Sequence, residues 1–168
     1  MATEGNNLSE YNVNDIPDAK NFKFGVVVSE WNADITQNLF QGAFDAFIKH
    51  HVFKENIVRW NVPGSFELIY GAKTLAESFD MLDAIIVIGS VIEGETKHFD
   101  FVCQGVSNGI AQLNITLDIP VIFCVLTDHY KQQSIDRSGG KHGNKGTEAA
   151  IAAIKMAQLR QDAKFYKP

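Results

Sequence analysis

Four short apolar runs, each followed by a segment with helical spacing, constrain the fold of this chain more than any other feature. The runs are rich in β-branched residues, which favours strands, and they lie at 22–28, 56–62, 84–90 and 121–126. Periodic apolar residues predict helices after an N-cap at Asp34, from Phe66 and from Phe99, and then at 131–137 and 147–161. Strands that alternate with helices imply a parallel sheet covered by helices on both faces.

The carboxyl ends of the four strands bring polar segments to one edge of this sheet. Right-handed crossovers place all four strand ends on the same side. The segments that follow the strands are 29–32, 62–67, 89–98 and 126–129. Ligands of open α/β sheets bind at that edge, so we expect the functional site there.

Length and charge bound the domain organisation and the partners. A chain of 168 residues with 45% hydrophobic residues is most simply one globular domain. Residues 1–21 are polar and lack periodicity, which predicts an arm, either loose or docked on a neighbouring subunit, ahead of a single domain at 22–168. The net charge of −5 provides no basic field for nucleic acid, so no nucleic-acid partner is expected.

The cellular compartment is indicated by the apolar runs and the cysteines. The longest apolar runs are too short to cross a bilayer, and the N-terminus lacks the pattern of a secretory signal. Cys103 and Cys124 fall in a predicted helix and a predicted strand, where buried free thiols are the expected state. These features predict a cytoplasmic protein without a membrane partner.

The stretch that ends at His98 places a proton-transfer group beside an anion site. His98 opens the helix after the third strand, where unpaired backbone N–H groups favour anions. An imidazole there suits proton transfer, and a surface or capping histidine is the alternative. Gly94, Glu95 and Thr96 provide a turn with free amides that suits a phosphate, or a plain turn in which Thr96 caps the helix.

Two cations further along the chain are weaker candidates. Arg137 is able to grip a phosphate bidentately, although an ion pair with Asp136 or Glu148 is the alternative. Lys145 lies in Gly-Asn-Lys-Gly without the Walker pattern, so a turn that opens a helix is favoured over a nucleotide loop. The histidines and cysteines show no metal-ligand spacing, and no metal is expected.

Aromatic and acidic side chains also follow the strands. Trp31 and Phe66 lie at the predicted site edge, where exposed rings stack on flat heterocycles, and core packing is the alternative for both. Glu67 is suited to hydrogen-bond a ring N–H or a hydroxyl, or simply favours the helix N-terminus.

Taken in order, these motifs resemble the 6,7-dimethyl-8-ribityllumazine synthase family of riboflavin biosynthesis. The resemblance covers about Phe22 to Leu159 and rests on several motifs at matching spacing. They are Trp31-Asn32, Val62-Pro-Gly-Ser-Phe-Glu67, Gly89-Ser-Val-Ile-Glu-Gly-Glu-Thr-Lys-His-Phe-Asp-Phe-Val102, Pro120-Val-Ile-Phe-Cys-Val-Leu-Thr127, and Asp136-Arg137 with Gly143-Asn-Lys-Gly146. Each motif alone is modest, and their order makes the set specific.

The resemblance implies a fold and an activity. The fold would be a flavodoxin-like three-layer α/β/α sandwich with a four-stranded, mainly parallel sheet. The enzyme, a transferase, would condense 5-amino-6-(D-ribitylamino)uracil with 3,4-dihydroxy-2-butanone 4-phosphate, without a metal or an organic cofactor. The family forms pentamers, some of which assemble into 60-subunit shells, and association with riboflavin synthase is a further implied partnership.

The resemblance also assigns roles to residues. His98 would transfer protons, and Arg137 with the amides of Glu95 and Thr96 would hold the phosphate. Trp31 would stack on the uracil ring, and Lys145 matches a lysine near the Arg137 region. The pyrimidine and ribityl contacts would come from Asn32, Ser65, Phe66, Glu67, Val91 and Ile92, and a second subunit would supply Phe123.

Two departures from the family pattern keep other functions open. Glu93 and Glu95 place negative charge near the anion site, and the segment 128–130, which includes His129, is unusual. A flavin- or lumazine-binding shell protein with little catalysis is therefore one alternative. A nucleotide-binding signalling domain is a weaker one, since fold does not fix function.

Overall fold

The computed structural model of the chain describes residues 7–165 as an alternation of strands and helices. The strands are β1 (Phe24–Ser29), β2 (Ile57–Val62), β3 (Ala84–Ile92), β4 (Val121–Asp128), β5 (Ser138–Gly140) and β6 (Gly143–Asn144). The helices are α1 (Ala33–Lys49), α2 (Leu68–Ser78), α3 (His98–Thr116), α4 (Lys131–Arg137) and α5 (Lys145–Phe165). Short 3-10 turns lie at Val13–Asp15 and Lys54–Asn56.

The main sheet has four parallel strands in the order β2-β1-β3-β4. β1 and β3 are central and β-branched, and every residue of β1 is buried. β3 and β4 continue their pairing up to Ile92 and Asp128, beyond the end of β1 at Ser29. The predicted four-stranded parallel sheet is therefore confirmed, and a ledge formed by β3 and β4 projects at its carboxyl edge.

Helices cover both faces of the sheet and create two separate cores. On one face, Phe24, Val26 and Ile86 pack with α1 and α5. On the other face, Val27 and Val87 pack with α2 and α3. This is the predicted flavodoxin-like three-layer α/β/α arrangement.

The start of α1 differs from the prediction. Asn32, rather than Asp34, occupies the N-cap position and adopts the left-handed conformation with φ 57°. The Asp34 carboxylate instead forms an ion pair of 2.7 Å with Lys131. This contact links the first turn of α1 to α4, and Lys131 holds the pKa of Asp34 below its ordinary value.

The N-terminal segment from residue 7 onwards packs against its own chain. The Leu8 amide donates to the His142 carbonyl at 2.7 Å, and the Tyr11 hydroxyl contacts His50 Nε2 at 3.1 Å. Ala19 is fully buried in the core beside α1 and α5. Residues 1–6 of the predicted arm and 166–168 of the predicted domain lie outside the described residues.

Candidate active site

A cavity of about 780 Å³ opens at the carboxyl edge of the sheet, on the α2–α3 side. The segments after β1, β2 and β3 and the first turn of α3 form its walls. Its lining residues are Trp31, Pro63, Gly64, Ser65, Phe66, Glu67, Ser90, Val91, Ile92, Gly94, Thr96, His98, Phe99, Phe101 and Val102. The structure thus brings most of the predicted site residues into one cavity.

Two exposed aromatic rings, Trp31 and Phe66, line this cavity. Trp31 is 71% exposed and Phe66 is 53% exposed, so neither is packed in a core. The Trp31 amide donates to the Pro63 carbonyl at 3.2 Å, which extends the pairing of β1 with β2 beyond the strands. The cavity therefore offers aromatic faces on a fixed backbone, as stacking on a flat ring requires.

Polar groups lie between these rings and β3. Ser65 is buried, and the Glu67 carboxylate folds back over Gly64, where an added Cβ would lie 2.8 Å from Oε2. Val91 and Ile92 end the β3 side of the ledge and are partly exposed. This wall combines hydrogen-bonding groups with an apolar surface, as expected for a polar heterocycle with a sugar-like chain.

His98 is the first residue of α3 and is exposed at the cavity. Its backbone N–H contacts Thr96 Oγ1 at 3.4 Å, so Thr96 also serves the helix start. Phe101 and Val102, three and four residues further on, line the same cavity. Sequence reasoning missed Phe101, although helical spacing from His98 is a signal that identifies it.

Asn32 lies at the edge of the site but does not belong to the cavity wall. Its side-chain Nδ2 donates to the Ser90 carbonyl of β3 at 2.9 Å. This bond fixes the β1–α1 connection, and with it Trp31, against the central strand.

Glu93 and Glu95, the two acidic residues near the predicted anion site, differ in their contacts. The Glu93 carboxylate contacts Nδ1 of His129, while Glu95 is exposed to solvent. Glu93 therefore has a side-chain partner on the segment that follows β4.

Arg137, Lys145 and Phe123 are not brought to this cavity within the chain. Arg137 is half-buried and its guanidinium donates to the Gln133 carbonyl at 3.0 Å. Lys145 opens α5, on the opposite face of the sheet from α3, and its Nζ contacts Glu148. Phe123 is exposed on β4, the edge strand beyond β3.

The cysteines lie outside the cavity. Burial raises the pKa of the Cys124 thiol to about 12, and partial burial raises the pKa of Cys103. Both groups are thus thiols at neutral pH, which disfavours a nucleophilic role.

In the described part of the chain, no helix is long and apolar enough to span a membrane.

The fold is a parallel sheet between two layers of helices, and a cavity lined by aromatic residues and a histidine opens at the carboxyl edge of the sheet. These features define the class of α/β proteins that bind small molecules at the ends of their strands. The model of the 6,7-dimethyl-8-ribityllumazine synthase family matches residues 21–161. The chain therefore belongs to the 6,7-dimethyl-8-ribityllumazine synthase family, and the resemblance seen in the sequence is confirmed.

Individual relatives agree with this assignment. The chain is 74% identical to the 6,7-dimethyl-8-ribityllumazine synthase of Christiangramia forsetii over 99% of both chains. It is 67% identical to the enzyme of that name from Flavobacterium johnsoniae, over 100% of this chain and 88% of the relative. The protein of that name from Parabacteroides distasonis is 56% identical over 95% of this chain and 99% of its own length.

Proposed function

We propose that the cavity bounded by Trp31, Phe66 and His98 is the active site in which this chain makes 6,7-dimethyl-8-ribityllumazine. The enzyme condenses 5-amino-6-(D-ribitylamino)uracil with 3,4-dihydroxy-2-butanone 4-phosphate, a step of riboflavin biosynthesis. The single observation that carries the location is the juxtaposition of two exposed aromatic faces with a histidine at a helix start.

The walls of the cavity suggest how each substrate binds. The rings of Trp31 and Phe66 would hold the uracil ring by stacking. Ser65, Glu67, Val91 and Ile92 would contact the pyrimidine and the ribityl chain, while Asn32 positions the segment that carries Trp31. These groups favour a planar, hydrogen-bonding substrate that carries a hydroxylated side chain.

The phosphate would bind at the other end, beside the first turn of α3. The backbone amides of Glu95 and Thr96 lie just before Lys97, the N-cap of this helix, and so close to the end at which the macrodipole favours an anion. We assign Arg137 as the cation of this site and Lys145 to the same region, both on the strength of the family motif. Neither lies in the wall of this cavity. Arg137 would therefore reach the phosphate from a neighbouring subunit or through a movement of α4, and Lys145, on α5, would come from a neighbouring subunit.

The reaction needs proton transfer more than strong nucleophiles. The 5-amino nitrogen attacks the ketone carbon, and loss of one water gives an imine. A proton then leaves C3, the hydroxyl-bearing carbon next to the phosphate-bearing C4, and phosphate is eliminated to give an enol. The enol tautomerises to a ketone at C3, and attack of the ribitylamino nitrogen on this new carbonyl closes the ring and releases a second water. His98 lies where it would move these protons, and proximity of the two substrates supplies much of the remaining acceleration.

A second subunit would complete the site. Phe123 is an exposed aromatic residue on β4, the edge strand of the main sheet, and proteins usually cover such edges. A homopentamer in which Phe123 of one subunit faces the cavity of the next would bury it, and a 60-subunit shell would be built from such pentamers. Light scattering of the purified protein measures this directly, and a monomer would contradict it.

The activity is tested by mixing the purified protein with both substrates and following lumazine absorbance together with released phosphate. We expect equal amounts of both products at a rate above the uncatalysed background. Failure to accelerate the reaction, with the protein folded and assembled, would contradict the proposal. Tight lumazine binding in that case would point to the binding-protein alternative.

A further inference from the structure

We propose that Glu93 and His129 form a positioning pair that holds the phosphate-binding turn at 94–96 against α4. The inference rests on the proposed function, because it concerns the phosphate end of the same site. Glu93 and His129 would act through their neighbours rather than through contact with substrate.

The pair lies at the end of the ledge formed by β3 and β4. Ile92 pairs with Asp128, and the Glu93 amide then donates to the Asp128 carbonyl at 3.0 Å. Glu93 and His129 are thus neighbours just past the last paired residues, and their side chains meet through Oε2 and Nδ1. The contact connects the segment that leads to Gly94 with the segment that leads to α4.

His129 is also held by α4. Its backbone N–H donates to Gln133 Oε1 at 2.9 Å, and the Tyr130 N–H donates to the same oxygen at 3.2 Å. The Gln133 carbonyl in turn accepts from the Arg137 guanidinium at 3.0 Å. A continuous series of contacts therefore runs from Glu93 through His129 and Gln133 to Arg137.

A third contact reaches the start of α3. The ring of Phe99 lies 6.3 Å from the ring of His129, measured between centroids. Phe99 lines the cavity and directly follows His98. His129 thus contacts the segments that lead to Gly94 and to His98 as well as α4, and a change in its position would act on the phosphate-binding turn of the same chain.

The direction in which removal of Glu93 changes phosphate affinity distinguishes a positioning role from a purely electrostatic one. If Glu93 acted only through its charge, its removal would relieve repulsion of the bound anion and tighten phosphate binding. If Glu93 positions the turn, its removal would weaken phosphate binding although the local negative charge is lost. The side chains of Glu93 and His129 are 46% and 65% exposed, so their contact adds little to global stability and the effect belongs to the site.

The experiment measures binding of inorganic phosphate to the assembled protein by calorimetry at fixed ionic strength, together with the KM for the phosphate substrate. We expect Glu93→Ala to raise both constants about threefold, with kcat, the KM of the uracil substrate and the melting temperature unchanged. Glu93→Gln retains an acceptor oxygen and should restore binding. The double variant Glu93→Ala with His129→Ala should be no worse than His129→Ala alone, because the two residues act as a unit.

A second exposed histidine–carboxylate pair provides the control. His51 Nδ1 contacts Asp18 Oδ1 at 3.1 Å, away from the cavity, and Asp18→Ala should leave phosphate binding unchanged. Unchanged or tighter phosphate binding in Glu93→Ala, additive effects in the double variant, or no phosphate binding by the wild type would overturn the inference. Failure of the proposed function is a separate result, seen as a wild type that forms no lumazine.

Discussion

The Cε2 edge of the Phe66 ring abuts Gly105 of α3, where a built Cβ would be 2.7 Å from Cε2 and 3.4 and 3.7 Å from Cδ2 and Cζ. The glycine thus allows the edge of this exposed ring to approach the helix closely while the ring lines the cavity. The position of this ring depends on the absence of a single carbon atom.

Substitution Gly105→Ala should move the Phe66 ring into the cavity. Alanine is the better helix former by about 1 kcal/mol. This gain offsets the cost of displacing the Phe66 ring, so the melting temperature should change little. We expect the KM of the uracil substrate to rise about tenfold, a loss of about 1.4 kcal/mol, with a much smaller effect on the phosphate substrate. Steady-state kinetics with each substrate varied in turn checks this.

Gly109→Ala is the matched control in the same helix. Its Cβ would meet the Ile69 side chain, which is not part of the cavity wall. Overpacking there should cost about 1–3 kcal/mol of stability and leave the KM of the uracil substrate unchanged. Identical kinetic effects of the two variants would show that Phe66 is not the cause.

Substitution His98→Ala should lower kcat by about 100-fold if the imidazole transfers protons. Binding of both substrates should change little, because the backbone and the aromatic rings remain, and proximity should leave a rate above background. Single-turnover lumazine formation separates this effect from product release. A control variant, His51→Asn, suits the left-handed conformation with φ 70° and should retain full activity.

Much of the fold follows from local sequence. The apolar runs at 24–28 and 84–88 are buried on both faces of the sheet, which is why four parallel strands were predictable. The N-cap of α1 was not predictable from local sequence, because the Asp34 side chain pairs with Lys131, 97 residues later in the chain. The predicted glycine link at 138–146 forms β5 and β6, helped by positive φ values at Gly139 and Gly143 that the sequence does not reveal, and its last two residues already belong to α5.

The site was predictable where it depends on strand ends. Segments that follow parallel strands must meet at one edge, so Trp31, Ser65 and His98 come together in the cavity. The placement of Arg137 depends on the path of α4, which long-range contacts determine. The partnership of Glu93 with His129 likewise requires the register of β3 and β4, so sequence alone left the Glu93 charge without a partner.

Acidification should destabilise the protein through His50, which is 4% exposed. Burial, aided by the charges of Lys49 and His51, lowers the pKa of His50 below its ordinary value. The unfolded chain therefore binds a proton near pH 6.5 before the folded chain does, and stability falls as the pH drops below that value. The loss levels off below the folded-state pKa.

Urea unfolding between pH 7.5 and 5.5, at a fixed protein concentration, measures this slope. His50→Gln should reduce the dependence of the free energy of unfolding on pH, because the glutamine side chain does not bind a proton in this range. His51→Asn should retain the slope, apart from relief of its small repulsion of His50. An unchanged slope in His50→Gln would assign the pH dependence to other groups.

The contact between α1 and α5 depends on Gly146. A Cβ at this position would overlap the Leu39 carbonyl, a backbone group that is unable to swing aside. Gly146→Ala should therefore separate the two helices and cost about 3 kcal/mol of stability. Gly94→Ala, whose Cβ would have no neighbour within 4 Å, should stay within about 0.5 kcal/mol of the wild type. Thermal unfolding of the two variants tests the difference, and equal melting temperatures would show that α5 adapts without loss.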